Sequence, residues 1–351
     1  MSHMTKIVIP VILMLMLLGC DEGMVTFPPG TLESVSPYLK KLDHPVQCSE
    51  FTQLAGDPSV MRDDQKYTIF YTGLDKDAMG GGVGMATSAD GTTWTVAASG
   101  DEKTGRGLVL RGRPDTWEHQ LETASAIKRN DTYFLYYCGY PKVGWPTNPG
   151  QIGLATSKDG INFKRVGNDP VLKITPRGYD TSGLYSPSVI HDGTQFVMVY
   201  AGHCYPNEKS PPTVSPGIYL LGATSNDGVK WTKRPEPVLA PAPNPKWLVN
   251  GVAEPEIVKA RDGRYYLFYT ANLGDDETRL IAVAKSKTPF GPWDLRKTPL
   301  LTASPHLYDK KGVLAPTVLI EGDKLRMWYL TSDQDKHMTG YAEMPWPIAD
   351  W

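Results

Sequence analysis

Four cysteines in 351 residues, one of them inside an N-terminal leader-like run, are too few for a disulfide-stapled scaffold. Cys138 and Cys204 fall near the ends of equivalent segments, but three cysteines remain after Cys20 and the sequence does not pair them. No Lys/Arg block is present and the formal charge is only -2, so nothing in the sequence marks a nucleic-acid surface. No spacing reads as a zinc site. The glycines at 80–82 and 84 make no phosphate cradle, because no helix pattern follows them. No cofactor is expected on these grounds, beyond an ion such as calcium that a polar channel could hold. Long apolar runs are absent too: Ile7 to Leu18 is too short to cross a bilayer comfortably and suits a signal-peptide core behind Lys6.

That run ends Leu17-Leu18-Gly19-Cys20, which resembles the lipobox of bacterial lipoproteins. Cys20 would then be the lipidation site, and the protein would be exported and held at the bacterial cell envelope, periplasmic or at the surface, by its lipid alone. Residues 1–20 are read as signal peptide and residues 21–43, with Pro28-Pro29-Gly30, as a tether.

What the chain does contain is a repeat. Asp57-Pro58-Ser59-Val60, then Tyr67 to Gly73, then Val83 to Ser88 read as three antiparallel strands, followed by the tight turn Asp90-Gly91 and Trp94. The same phrases return from Thr123, Ser186, Glu254 and Ala315, about 65 residues apart, with Phe163, Trp231 and Trp293 in the place of Trp94. Four-stranded units at that period predict an all-β fold, a five-bladed β-propeller. Each copy but the last closes on a phrase such as Asp169-Pro170-Val171-Leu172 or Glu236-Pro237-Val238-Leu239. The missing fifth phrase lies at the other end, in Asp43-His44-Pro45-Val46-Gln47. An open ring would leave a sheet edge bare, so the strand from Pro45 to Cys48 is expected to complete the last blade. Residues 44–345 then form one domain, expected to be monomeric, with 346–351 as a tail.

An aromatic residue paired with an acid recurs in the linkers, at Trp117-Glu118, Tyr179-Asp180 and Tyr308-Asp309. Recurrence argues for architecture, since a catalytic residue breaks a repeat's symmetry. Innermost strands start at the mouth of the central channel, so the first position of each copy points to the axis: Asp57, Thr123, Ser186, Glu254 and Ala315. Two are carboxylates. Glu122 precedes the first position of blade two and Glu256 follows that of blade four by two residues. Glycosyl transfer needs one protonated and one ionised carboxyl at a common site. Acids at a channel also serve simply to hydrate it. Trp145 and His203 lie in loops on the same side and would give a sugar platform and a hydroxyl contact; Ser186 and Glu256 complete the expected substrate contacts.

The segments Asp57-Pro58-Ser59-Val60 and Glu254-Pro255-Glu256-Ile257-Val258-Lys259, each followed by its aromatic strand, resemble the five-bladed propeller glycoside hydrolases, family 43 nearest and the invertase-like family 32 behind it. The resemblance covers about 44–345 and implies a glycosidase acting on a poly- or oligosaccharide, with family 43 implying a pentose such as arabinose or xylose. It assigns Asp57 as general base and Glu254 as general acid; in the invertase-like family the Asp is a nucleophile. Both families place a further Asp, before a Pro, at the first position of blade three, where this chain has Ser186-Pro187. Asp180 and Glu122 are the candidates to replace it as modulator of the acid's pKa. A non-catalytic carbohydrate-binding propeller is the alternative.

Overall fold

The structure, a computed structural model, describes residues 32–36, 38–46, 54–63, 66–74, 81–97, 107–141, 149–205, 214–273, 278–304, 307–333, 336–349 and 351. Its strands form five antiparallel blades around an axis, which is the expected propeller. The innermost strands are Leu54–Asp63, Gln120–Arg129, Gly183–His191, Val252–Lys259 and Val313–Glu321. Each pairs with a second strand rich in buried aromatic residues: Lys66–Leu74, Thr132–Tyr140, Phe196–Cys204, Tyr265–Ala271 and Lys324–Asp333.

The repeat's first position is a backbone device. Asp57, Thr123, Ser186, Glu254 and Ala315 all have positive φ, between 43° and 50°. Around each, the ladder to the second strand slips, between Gly56 and Ser59 in blade one and at the matching places in the other four. This is a bulge that kinks the innermost strand toward the axis. Proline follows the kink at 58, 187, 255 and 316, where the ladder bond it cannot donate is already lost. A left-handed non-glycine residue costs roughly 1–3 kcal/mol, and five in one ring mean the surrounding structure holds them there.

Two residues further on, a second ring staples the blades together. The side-chain oxygens of Ser59, Ser125, Ser188, Glu256 and Thr317 each accept a backbone N–H from the adjacent blade, those of Ala126, Val189, Ile257, Val318 and Val60. Outside it, the turn aromatics fill the seams: Trp94 packs on Trp328 at 6.3 Å between ring centres, Phe163 on Phe70 at 5.7 Å and Trp231 on Tyr136 at 5.7 Å. Their turns are held by Asp90, Asp159 and Asp227, whose Oδ1 atoms accept two backbone N–H groups each. Gly91, Gly160 and Gly228 take positive φ there.

The recurring acids are architectural, as their recurrence suggests. Glu118, Asp180 and Asp309 each accept from a second-strand tyrosine, Tyr137, Tyr200 and Tyr329, and pair with a cation of the blade's fourth strand, Arg165, Lys233 and Lys41. Asp180 also accepts from Thr175, so its carboxylate is spent at the blade's periphery and does not replace the missing axial Asp.

The ring is closed by the N-terminal strand. Val46 pairs with Thr339, as Leu172 pairs with Ile152 and Leu239 with Leu220 in their blades. The closing segment begins earlier than the phrase in the sequence indicates: Leu39–Leu42 pairs with Ala342 and Glu343, and Leu32–Ser36 pairs in turn with Leu39–Leu42. Leu32–Ser36 and Leu39–Leu42, which fall within the expected tether 21–43, are thus strand. Cys20, Cys48 and Trp145 lie outside the described residues. Cys138 and Cys204 are both free and buried.

Candidate active site

The five kinks bring Asp57, Thr123, Ser186, Glu254 and Ala315 to one narrow axial cavity of about 30 Å³, with Ser59 and Glu256 lining it as well. Asp57 is 8% exposed. Burial drives its carboxyl well above the usual carboxylate range, the charges of Glu122 and Glu254 push it further, and a hydrogen bond from Thr72 pulls the other way. Glu122 is raised by burial and by the charge of Glu254, against a hydrogen bond from Tyr140. Glu254 accepts from Thr270 Oγ1 at 2.6 Å and from the Ala315 N–H at 3.1 Å, both at Oε2. Three carboxylates from blades one, two and four therefore share one desolvated site. Desolvation disfavours charge on Asp57 and on Glu122, and repulsion from the neighbouring carboxylates adds to it.

Of the expected residues, the structure gathers Asp57, Glu122, Glu254 and Ser186, and leaves Asp180 outside. Glu256 is at the axis but is committed to the staple ring. Ser188 Oγ donates to its Oε2 at 2.8 Å and Thr317 Oγ1 to its Oε1 at 3.0 Å, which makes it a blade-to-blade brace in place of the expected sugar contact. Ser186 offers its N–H to Thr123 Oγ1 at 3.2 Å. His203 is buried and pushed down to about 3 by burial, so its imidazole is neutral. It packs at 4.4 Å between ring centres on Tyr185, which lies 6.5 Å from Tyr140 on one side, while His203 lies 6.1 Å from Tyr205 on the other.

This row, Tyr140, Tyr185, His203 and Tyr205, climbs from Glu122 to the rim. Tyr205, 36% exposed, is one of four exposed large hydrophobic residues among those described. Sequence reasoning missed its tyrosines. Tyr185 stands one place before the first position, as Glu122 does, and that register was the available signal. Among the described residues, no group of three or more His, Cys, Asp or Glu side chains converges closely enough to hold a metal ion.

The brace at Glu256 has a consequence for stability. Burial pushes its carboxyl up to about 7 from an ordinary 4.5, against the hydrogen bonds from Ser188, Thr317 and Val318. Below 4.5 the folded and unfolded chains both hold the proton; between 4.5 and 7 only the folded chain does, so stability falls as pH rises through that window and levels off above it. Glu256→Gln should flatten this slope by up to about 3 kcal/mol. Asp57 and Glu122 slope the same way, so the measurement is the difference in melting temperature between wild type and variant at pH 5 and pH 8. A constant difference would contradict the shift.

The profile described as "Glycosyl hydrolases family 32 N-terminal domain" matches residues 122–303, just over half of the chain. The chain belongs to this family. Among solved structures, a protein titled "Glycoside hydrolase" superposes with a TM-score of 0.70 at 18% identity, covering 88% of this chain and 91% of that one. A thermostable family-43 glycoside hydrolase gives 0.63 at 20% identity, covering 85% and 91%. An exo-1,5-α-L-arabinanase from a bovine ruminal metagenomic library gives 0.57 at 18%, covering 84% and 95%. At these identities the three share the fold.

Curated relatives are matched over shorter stretches. An uncharacterized Mycobacterium tuberculosis protein is 31% identical over 114 residues, 32% of this chain and 36% of the relative. The β-1,2-mannobiose phosphorylase of a Thermoanaerobacter species is 28% identical over 122 residues, 33% and 39%. The family 32 chain thus matches little more than a third of these relatives' length. Its fold is that of the glycoside hydrolase propellers, with the Asp57, Glu122 and Glu254 carboxylates at its axis.

Proposed function

We propose that this family 32 propeller is a glycosidase that hydrolyses a pentose-containing oligo- or polysaccharide, arabinose or xylose being the sugars, with Asp57 as general base and Glu254 as general acid. The supporting observation is the meeting of Asp57, Glu122 and Glu254 at one buried axial site. A base works best when its pKa lies near the working pH, and burial with two neighbouring carboxylates moves Asp57 in that direction. With no Asp at Ser186, Glu122 is the neighbouring acid and it modulates the base: its charge raises Asp57, and the charge of Glu254 raises both. Lipid on Cys20 would keep the enzyme at the cell envelope, where polymeric glycans arrive from outside.

The aromatic row gives the sugar chain a surface to lie on beyond the scissile bond. Tyr205→Ala should raise KM for oligosaccharides roughly tenfold, a loss of about 1.4 kcal/mol, and leave kcat on an aryl monoglycoside unchanged. Equal KM for both substrates in both proteins would remove Tyr205 from the site. The function itself is tested by a panel of nitrophenyl glycosides and arabino-, xylo- and fructo-oligosaccharides. The phosphorylase among the relatives adds β-1,2-mannobiose, with and without inorganic phosphate. Turnover of a pentoside in water alone is the expected result. Ser186 in place of the axial Asp favours a second reading, a carbohydrate-binding propeller without catalysis. Sugars that raise the melting temperature without being cleaved would establish that reading instead.

A further inference from the structure

The second-strand residues that face the kinks differ between blades in one respect. In order they are Thr72, Cys138, Ala201, Thr270 and Leu330. A hydroxyl occurs in blades one and four, the two blades whose first position carries a carboxylate. Both threonines are fully buried. Blades three and five keep the same kink with Ala201 and Leu330, so the bulge does not require the hydroxyl.

A threonine hydroxyl has a single proton and two acceptor sites. The Ala315 N–H points at Thr270 Oγ1 at 2.9 Å, and a backbone N–H can only donate. The Thr270 proton is left for Glu254 Oε2, 2.6 Å away, and the same Oε2 accepts from Ala315 N at 3.1 Å. Blade one repeats the arrangement: the Thr123 N–H donates to Thr72 Oγ1 at 2.9 Å, and the Thr72 hydroxyl is directed to Asp57.

From this geometry we infer that Thr270 and Thr72 are positioning residues for the proposed acid and base, each a hydroxyl whose direction is fixed by the next blade's backbone. Two donors on Glu254 Oε2 make it the accepting oxygen of the carboxyl, so the transferable proton sits on Oε1. In the hydrolytic step Oε1 gives that proton to the glycosidic oxygen, which keeps the electron pair of the breaking C–O bond. Water bonds to the anomeric carbon and its proton passes to Asp57. The carboxylate left on Glu254 is already bonded at Oε2 by Thr270 and Ala315, as a charge-assisted pair that strengthens as the charge develops.

This rests on the proposed function, and the tests separate the two. Thr270→Val keeps the shape and removes the donor. It should lower kcat about 10- to 100-fold on oligosaccharides with poor leaving groups and change kcat on nitrophenyl glycosides by less than about twofold, with KM unchanged. Thr270→Ser should restore most of the loss. A uniform loss on both substrates, no loss, or no recovery by Ser would overturn the assignment.

Thr72→Val is read without any substrate, by 13C NMR titration of labelled aspartate. Asp57 should titrate at higher pH than in wild type and return with Thr72→Ser. The other ionisable groups around it, Glu122, Cys138, Tyr140 and Glu254, are unaltered in the variant. An unmoved Asp57 titration rejects the clamp even if glycosides are cleaved, and a moved one upholds it even if none is. Should Glu254→Gln leave all turnover intact, the catalytic reading fails while the Asp57 titration still decides the clamp.

Discussion

Asp57→Asn and Glu254→Gln should each lower turnover of an oligosaccharide by about 10² to 10⁴-fold, the usual worth of one general base or acid. The two losses should differ with the leaving group. A nitrophenolate departs with little protonation, so Glu254→Gln should keep relatively more activity on aryl glycosides, whereas Asp57→Asn should be impaired on both kinds of substrate. Neither change should harm the fold. Asp57 is raised first by burial and then by its neighbours' charge, so a neutral amide spares a buried charge and relieves repulsion, and the melting temperature should hold or rise. Removing Glu122's charge should move the acidic limb of the rate profile to lower pH, because that charge raises Asp57. Asp180→Asn should leave the limb in place, since its carboxylate is occupied by Lys233, Tyr200 and Thr175. Unchanged turnover in both Asp57→Asn and Glu254→Gln would sink the catalytic pair.

The propeller was legible because each blade must solve the same local problem. Alternating strands, an Asp-Gly turn and a seam aromatic recur at a fixed period, and the recurrence outweighs the ambiguity of any one strand. The axial positions were legible for the same reason: a kinked, left-handed position repeated five times leaves a signature even where the residue changes from Asp57 to Ala315. What the sequence hid is contact between blades. Glu256 and Asp180 both read as candidate site acids, yet one braces Ser188 and Thr317 and the other neutralises Lys233, and those partners lie 53 to 68 residues away along the chain. The fixed proton of Thr270 depends on the Ala315 N–H from the next blade, which no pattern within blade four can show.

Closure of the ring concentrates stability at Lys41. Its side chain is fully buried, and Nζ donates to Asp309 Oδ2 at 2.5 Å, to Ser304 Oγ at 2.8 Å and to the Thr302 carbonyl at 2.8 Å. Lys233 and Arg165 hold the same post in blades three and two, but their blades are continuous in sequence. Lys41 instead ties residues 268 apart, so the last blade depends on the chain's two ends meeting. Lys41→Met keeps the apolar stem and leaves Asp309 buried without its cation, which typically costs about 3–5 kcal/mol. The exposed neighbour Lys40→Met should stay within about 0.5 kcal/mol. The double change Lys41→Met with Asp309→Leu should recover part of the loss, because an apolar pair spares both desolvation penalties. Deleting 32–46 should cost more than any of these, since it also bares the edge of the strand Lys336–Pro345. Thermal unfolding of the four variants decides the matter. If Lys41→Met melts within a degree or two of wild type, the ring is not held shut by its N-terminal strand.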